Sequence, residues 1–259
     1  MRRPLTEIAP GVLVATSERF TTTTTVVVGH DGGALVIDPA VTMPDLHLLA
    51  AELAAAALRP VAGFATHPHW DHVLWCRELG DVPRYASQRA VEIAERERDA
   101  MVGGLEQAAP GHDLELFGRL SPLAPGSTAV AWAGPDAVVV THDGHAPGHS
   151  AIFLPDTGTL VVGDMCSDIE IPLLDLEGDA PFGDYRAGLE RLAAWPVRQV
   201  VPGHGTVGDA AEFRRRVAAD TAYLDEIERG NDAGDQRLTL DWLRTQHQRQ
   251  LQHMRGPAS

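Results

Sequence analysis

The sequence is poor in cysteine and in positive charge. Only two cysteines, Cys76 and Cys166, occur among 259 residues, which is too few for a disulfide framework and indicates a reducing compartment. The 21 basic residues are outnumbered by 36 acidic ones, so that the formal net charge is −15. Because phosphate recognition needs a basic surface, this charge argues against nucleic acid as a partner and also disfavours an anionic membrane surface.

Long apolar runs are also absent. No stretch approaches the length of a transmembrane segment, and no apolar run of signal-peptide length follows the N-terminal residues Met1 to Glu7. We therefore expect a cytoplasmic protein that does not bind membranes. A Gly-x-Ser-x-Gly elbow is missing as well, which argues against covalent serine catalysis. The hydrophobic content of 44% nevertheless suffices for a sizeable core.

The most informative stretch holds three histidines and an aspartate within six residues, His67-Pro68-His69-Trp70-Asp71-His72. It follows a short apolar run, Val61 to Ala65, which is typical of the end of a buried strand. Imidazole and carboxylate groups packed this closely are costly to bury without partners. A divalent metal removes that cost, because neutral imidazole and carboxylate are among its natural ligands. The pattern therefore indicates a metal site, with a solvated histidine-rich turn as the alternative.

This H-x-H-x-D-H stretch resembles the signature of the metallo-β-lactamase fold superfamily of hydrolases. Further motifs follow in that family's order, namely Gly148-His149-Ser150, Gly163-Asp164 and Pro202-Gly203-His204-Gly205. The resemblance extends from about Ile8 to about Gly208. It implies an α/β fold, the four-layer αββα sandwich of that family.

Periodicity along the chain agrees with a layered α/β fold. Apolar residues recur at helical spacing from Asp45 to Leu58, between segments that are typical of short strands. We expect a catalytic domain at residues 1–208 with a helical insertion at about 88–127. A C-terminal helical extension at 209–259 would pack on the same domain. Within the insertion, Gly103-Gly104 and Pro110-Gly111 are expected to break the helical pattern.

The resemblance also implies a ligand set for two metals. His67, His69 and His149 would hold the first metal, Asp71, His72 and His204 the second, and Asp164 would bridge them. Three nitrogen ligands suit Zn²⁺, so we expect two Zn²⁺ per chain, although these ligand types also allow iron or manganese. His145 could face the substrate or bond within its loop. Asp168 and Asp175 could orient ligand histidines or be surface charges.

Two metals about 3.5–4 Å apart can share a hydroxide and lower its pKa to ~7. The implied function is therefore hydrolysis of an ester-like bond in a thioester, ester or lactone by a metal-bound hydroxide, which Asp71 could orient as a catalytic residue. β-Lactam hydrolysis is a weaker alternative, because family members with that activity often carry cysteine where Asp164 stands. A non-catalytic, metal-binding member of the fold is the rival class.

Substrate selectivity is expected to come from the walls of the cleft, because the same metal constellation serves many substrates on one fold. The insertion at 88–127 and the C-terminal helices are the candidates, since the sandwich determines them least. We predict that the insertion is a mobile cover, and that Leu116, Phe117, Leu120 and His145 contact a small-molecule substrate with an apolar acyl portion. The apolar residues could instead face a partner chain in a homodimer.

Overall fold

The computed structural model describes residues 4–256, which form two β-sheets flanked by helices. The first sheet has seven strands in chain order: β1 (Thr6–Ala9), β2 (Val12–Thr16), β3 (Thr23–Val28), β4 (Gly33–Ile37), β5 (Arg59–Phe64), β6 (Arg84–Ala86) and β7 (Ser121–Pro122). Strands β1 to β4 pair in antiparallel fashion, whereas β4 to β7 are parallel. The sheet therefore changes from hairpins to crossover connections at β4.

The second sheet has five strands: β8 (Val138–Thr141), β9 (Ser150–Leu154), β10 (Thr159–Gly163), β11 (Gln199–Pro202) and β12 (Gly208–Asp209). Their spatial order is β12-β11-β10-β9-β8. Strands β10 and β11 are parallel, and the other neighbours are antiparallel. Each sheet thus contains at least one parallel pair whose carboxyl ends meet at one edge.

Six α-helices complete the layers in the described part of the chain: α1 (Met43–Ala55), α2 (Gln88–Arg96), α3 (Arg98–Ala108), α4 (Pro181–Ala193), α5 (Ala210–Glu228) and α6 (Asp241–Arg255). Helix α1 begins with a capping box, in which the Thr42 hydroxyl accepts from the Asp45 backbone and the Asp45 carboxylate accepts from Thr42 N. Within residues 4–256, no helix combines the length and the apolar character needed to cross a membrane.

Side-chain alternation along the strands separates the core into layers. In β4, Leu35 and Ile37 pack between the two sheets, whereas Ala34 and Val36 face a cluster formed with α1, α2 and α3. The second sheet repeats this pattern on its other face, where its side chains pack against α4, α5 and α6. Because successive residues of a strand point to opposite faces, each sheet can bury both of its faces. The predicted four-layer αββα sandwich is confirmed.

The helical insertion is interrupted at a different position from the one predicted. Helix α2 ends at Arg96 and α3 begins at Arg98, but Gly103-Gly104 lie inside α3. A glycine within a helix costs only about 1 kcal/mol relative to alanine, which burial of neighbouring apolar side chains in the core can offset. Between β5 and β6 the chain forms a long loop with one 3₁₀ turn, Arg77–Leu79.

The C-terminal helices pack on the second sheet together with α4. Tyr223 and Leu224 of α5 and Leu243 and Leu251 of α6 are buried in that cluster. These helices therefore cover the second sheet. The domain boundary at residue 208 stays a prediction.

Candidate metal centre

The candidate ligands follow the carboxyl ends of parallel strands in both sheets. The loop after β5 carries His67 to His72, Asp164 follows β10 directly, and His204 lies two residues beyond β11. Ligand sites in α/β sheets lie outside such strand ends. Backbone hydrogen bonds join the two edges, because Ser150 N donates to Thr66 O at 2.7 Å. The two sheets thereby bring residues distant in sequence to one place.

The first ligand group consists of His67, His69, His145 and Asp164. His69 Nδ1 lies 3.0 Å from both His67 Nε2 and His145 Nε2. Asp164 Oδ2 lies 3.5 Å from each of the same two Nε2 atoms. One ligand atom from each of the four residues lies within 4.8 Å of the others. Three nitrogens and one oxygen therefore converge on one point.

The second ligand group consists of Asp71, His72 and His204. His204 Nε2 lies 3.3 Å from Asp71 Oδ2 and 3.4 Å from His72 Nε2. Asp164 also reaches this group, with Oδ1 3.2 Å from His72 Nε2 and Oδ2 3.3 Å from His204 Nε2. The carboxylate of Asp164 therefore lies between the two groups, where a bridging ligand was predicted.

The structure places His145 in the first group, where the sequence motif suggested His149. The carbonyl of His149 accepts from His142 N at 2.7 Å, which ties this residue to the sheet directly before β9. Its two ring nitrogens are buried without a hydrogen-bond partner among residues 4–256. In contrast, His145 lies farther out in the loop, and its Nδ1 is 2.9 Å from Leu173 O. The expectation that His149 is a ligand therefore does not match this geometry.

Asp38 orients the second group, a role that the sequence reasoning missed. Its carboxylate accepts from Thr66 N at 2.8 Å and from Thr66 Oγ1 at 2.6 Å, and it lies 3.0 Å from His72 Nδ1. Because a carboxylate only accepts, His72 Nδ1 carries the proton and Nε2 is left facing the ligand group. A signal existed, since Asp38 follows β4, the parallel neighbour of β5.

The acidic residues that were considered for this orienting role lie elsewhere. Asp168 accepts from Thr206 N at 2.9 Å and from Thr206 Oγ1 at 2.6 Å. Asp175 lies on the wall of the adjoining cavity and accepts from Glu177 N at 3.2 Å. Both carboxylates therefore organise loop backbone next to the site.

Burial keeps two histidines of the first group, His67 and His145, uncharged. It holds the pKa of His67 well below the usual range, and the nearby His72 adds to this effect. Burial likewise lowers the pKa of His145 to about 3, with a further contribution from His69. Neutral imidazole is the form that binds metals, so this group is poised to donate lone pairs at neutral pH.

The second group has the opposite balance. Although burial opposes it, the carboxylates of Asp164 and Asp71 hold the pKa of His72 well above its usual range. The pKa of His204 is raised in the same way, against burial, by Asp164 and Glu170. Without a metal, imidazolium protons thus balance the carboxylates, and a divalent cation would take over that positive charge.

The donor set fits divalent metal. Asp164 Oδ1 is buried, and among residues 4–256 it makes no hydrogen bond of acceptable geometry. Imidazole nitrogens that face one another at 3.0 Å need a shared cation or proton between them. Nitrogen and carboxylate ligands of this kind suit Zn²⁺, and they do not discriminate sharply against iron or manganese.

A family model described as the Metallo-beta-lactamase superfamily matches residues 19–204, which is more than half of the chain and includes both ligand groups. The chain belongs to this superfamily. It is 35% identical over 131 residues to the hydroxyacylglutathione hydrolase of Synechococcus sp. (strain JA-2-3B'a(2-13)). That match covers 51% of this chain and 43% of the relative, so less than half of the relative's length is spanned.

Solved structures of similar fold agree with this membership. A β-lactamase domain protein from Burkholderia ambifaria superposes with a TM-score of 0.71 at 18% identity, covering 96% of this chain and 86% of the other. The protein TTHA1623, solved in a di-iron-bound form, gives a TM-score of 0.60 at 27% identity and covers 78% and 96% of the two chains. The first of these similarities concerns the fold alone.

In this superfamily member, a cavity of about 1050 Å³ opens over both ligand groups. Among the residues that line it are Phe20, His69, Trp70, Asp71, Arg89, Ile93, Arg96, His145, Asp164, Glu170, Leu173, Leu174, His204, Trp242, Arg249 and Gln250. The walls therefore come from α2, from the irregular segment after β10 and from α6. The insertion and the C-terminal extension, the two regions expected to shape the cleft, each contribute one helix to its walls.

The apolar residues predicted to hold substrate lie elsewhere. Phe117 is 2% exposed and is packed in the core on the outer face of the first sheet, with the Arg98 guanidinium 5.9 Å from its ring centre. Leu116 and Leu120 pack against the same cluster, and these three residues do not line the cavity. Their side chains cover the outer face of the first sheet, so the predicted substrate contacts do not match the structure.

Glu170 is a further buried acid on the cavity wall that the sequence reasoning missed. Burial raises the pKa of its carboxyl to about 7, with Asp164 and Asp71 contributing in the same direction and His204 opposing them. Its position six residues after Asp164 offered no distinctive sequence signal.

Proposed function

We propose that the protein is a metal-dependent hydrolase of an ester-like bond, with thioesters as the first substrate class and esters and lactones after them. The observation that supports this most directly is the Asp164 carboxylate between two ligand groups at the floor of one cavity. In enzymes with paired metals, the metals activate water and polarise the carbonyl, so that no nucleophilic side chain is needed. The name of the hydroxyacylglutathione hydrolase relative supports a thioester, although that similarity covers only part of each chain.

In this proposal the two groups hold two Zn²⁺ per chain, and the same donors would accept iron or manganese. His67, His69 and His145 would hold the first metal, Asp71, His72 and His204 the second, and Asp164 would contact both. His145 takes the place that the sequence motif had suggested for His149. The bound metals would supply Lewis acidity towards the carbonyl and would lower the pKa of water towards ~7.

Asp71 is the carboxylate best placed to orient water, because it belongs to the second ligand group alone. Its carboxylate lies on the cavity wall, 3.3 Å from His204 Nε2. Although burial opposes it, the neighbouring His72 and His204 hold the pKa of Asp71 well below its usual range. Asp71 therefore stays ionised at neutral pH and can orient a water molecule towards the substrate carbonyl.

The cavity walls favour a substrate with both apolar and polar parts. Phe20 and Trp70 meet edge to face on the cavity wall, with their ring centres 6.1 Å apart. Ile93 of α2 adds apolar surface, while Arg89 and Arg249 add charge. A volume of about 1050 Å³ is at the upper end for small-molecule sites. An acyl group on a sizeable polar carrier would match these walls.

The test is a substrate panel with the zinc-loaded protein: a hydroxyacylglutathione thioester, aryl and alkyl esters, lactones and a chromogenic β-lactam. We expect turnover of the thioester that is lost with a chelator and restored by Zn²⁺. The matched variant is Asp71→Asn, which should retain metal better than activity. Zinc-loaded protein that turns over no member of the panel would instead support the non-catalytic class, and preference for the β-lactam would overturn the thioester assignment.

A further inference from the structure

One peptide group connects the first ligand group to the C-terminal helix. Leu173 O lies 2.9 Å from His145 Nδ1, and Leu174 N donates to Gln250 Oε1 at 2.8 Å. This carbonyl and this N–H belong to the same peptide plane, which is rigid. A side chain of α6 therefore holds one edge of the plane whose other edge orients a candidate ligand.

Gln250 is itself held in one orientation. It is 2% exposed, and its Nε2 donates to the Tyr223 hydroxyl at 2.7 Å. The same hydroxyl lies 3.1 Å from His247 Nδ1, and His247 Nε2 lies 3.1 Å from Asp232 Oδ1. Because Leu174 N is a donor, the amide oxygen of Gln250 must face it, and the amide nitrogen must face Tyr223. The chain of bonds thus has one consistent direction.

The bond to Leu173 decides which nitrogen of His145 can bind metal. A carbonyl oxygen only accepts, so Nδ1 of His145 must carry the proton. The lone pair is then on Nε2, the atom that faces His69 and Asp164. Residues 171–175 have no regular secondary structure, so no strand or helix ladder holds this peptide in place. Its support from Gln250 is therefore mechanically important.

A second histidine in the same loop shows the contrast. His149 is as deeply buried, yet within residues 4–256 neither of its ring nitrogens has a hydrogen-bond partner. Its tautomer is therefore not set by the protein. Of these two rings, His145 alone is backed by the Leu173–Leu174 peptide and Gln250.

We propose that Gln250 is a positioning residue for the metal centre: through the Leu173–Leu174 peptide it fixes the ring and the tautomer of His145. This couples α6 to the first ligand group. The inference rests on the proposed function, because it takes His145 as a ligand. It assigns to the C-terminal helix a role in metal affinity in addition to its role as a cavity wall.

The test compares three variants at neighbouring positions of α6. Gln250→Leu keeps the side-chain size but removes both polar atoms, whereas Gln250→Glu keeps an acceptor for Leu174 N. Gln248→Leu is the matched control, since Gln248 is exposed on the same helix. Zinc affinity is measured by competition with a chelator, and the absorption spectrum of the Co²⁺-substituted protein reports the ligand geometry.

We expect Gln250→Leu to weaken one of the two bound metals by about tenfold, at the lower end for groups that orient ligands, because the effect passes through a peptide. The Co²⁺ spectrum should change for that metal alone. Gln250→Glu should retain most of the affinity, and Gln248→Leu all of it. If Gln250→Leu does not fold, Tyr223→Phe removes the hydroxyl that fixes the amide, and it should shift affinity in the same direction by less.

Provided that the wild-type protein binds metal, three results would overturn the inference. Wild-type affinities and an unchanged Co²⁺ spectrum in Gln250→Leu would do so while leaving the proposed function intact. So would a raised KM with both metals bound normally, because Gln250 would then be a substrate contact only. An equal loss of both metals together with a lower melting temperature of the metal-free protein would indicate a purely structural role. Wild-type protein that binds no metal would remove the proposed function as well.

Discussion

One histidine from each ligand group can be compared by the hydrogen-bond acceptor that its Nδ1 atom contacts. In the second group, the Asp38 carboxylate lies 3.0 Å from His72 Nδ1. In the first group, His145 is backed by the neutral carbonyl of Leu173. Hydrogen bonds to charged acceptors are roughly twice as strong as neutral ones, and Asp38 stands directly at a strand end. The comparison teaches that His72 is supported from a strand end of the sheet, whereas His145 depends on an irregular loop and on α6.

The largest effect is expected from a substitution that weakens metal binding in both ligand groups. Asp164→Ala deletes the carboxylate that lies within 3.5 Å of nitrogens in each group. We expect metal content to fall and turnover to drop by orders of magnitude, while circular dichroism stays native because Asp164 lies at a strand end.

Cys166→Ala is the matched control for Asp164→Ala. This thiol lies two residues later and is fully buried in the cluster on the outer face of the second sheet. Metal content measured by atomic absorption should therefore match the wild type. A metal-depleted Cys166→Ala, or near-normal turnover in Asp164→Ala, would show that the ligand assignment is wrong.

The next largest effect is expected from a substitution that removes a ligand of the first group alone. His145→Ala should lose one metal of two and keep the second, because Asp71, His72 and His204 are untouched. His149→Ala should keep both metals but melt at a lower temperature, since a buried ring is removed and leaves a cavity. Metal titration and thermal unfolding of the two variants measure this directly. The reverse outcome would restore the assignment that the Gly-His-Ser motif suggested.

The smallest effect sharpens the contrast between charged and neutral support. Asp38→Asn keeps the shape of the side chain but removes its charge, so His72 should lose basicity and its metal should bind about 10- to 100-fold more weakly. Asp168→Asn is the control, because that carboxylate bonds Thr206 and not a ligand histidine. Chelator competition distinguishes the variants. Equal affinities in both would mean that the charge of Asp38 does not distinguish the groups.

Local sequence was sufficient wherever a strand and the loop after it act as one unit. The run from His67 to His72 needs no distant partner to be brought together, because six consecutive residues are close in space in any fold. Asp164 and His204 follow apolar runs that form β10 and β11, so their places at strand ends could also be predicted. The alternation of such runs with helical periodicity likewise predicted a layered α/β fold, whereas the αββα arrangement was implied by the family resemblance.

Tertiary structure decided which residue takes a given role wherever the local sequence offers equivalent candidates. Gly-His occurs twice between Gly144 and Ser150, and the contact of Leu173 O with one of these rings distinguishes His145 from His149. Asp38 required the pairing of β4 with β5, which local periodicity does not specify. Phe117 was correctly read as apolar, but apolarity predicts burial without naming the surface that buries it. Hydrophobic pattern is a local property of the chain, whereas a side chain's partner depends on contacts between distant segments.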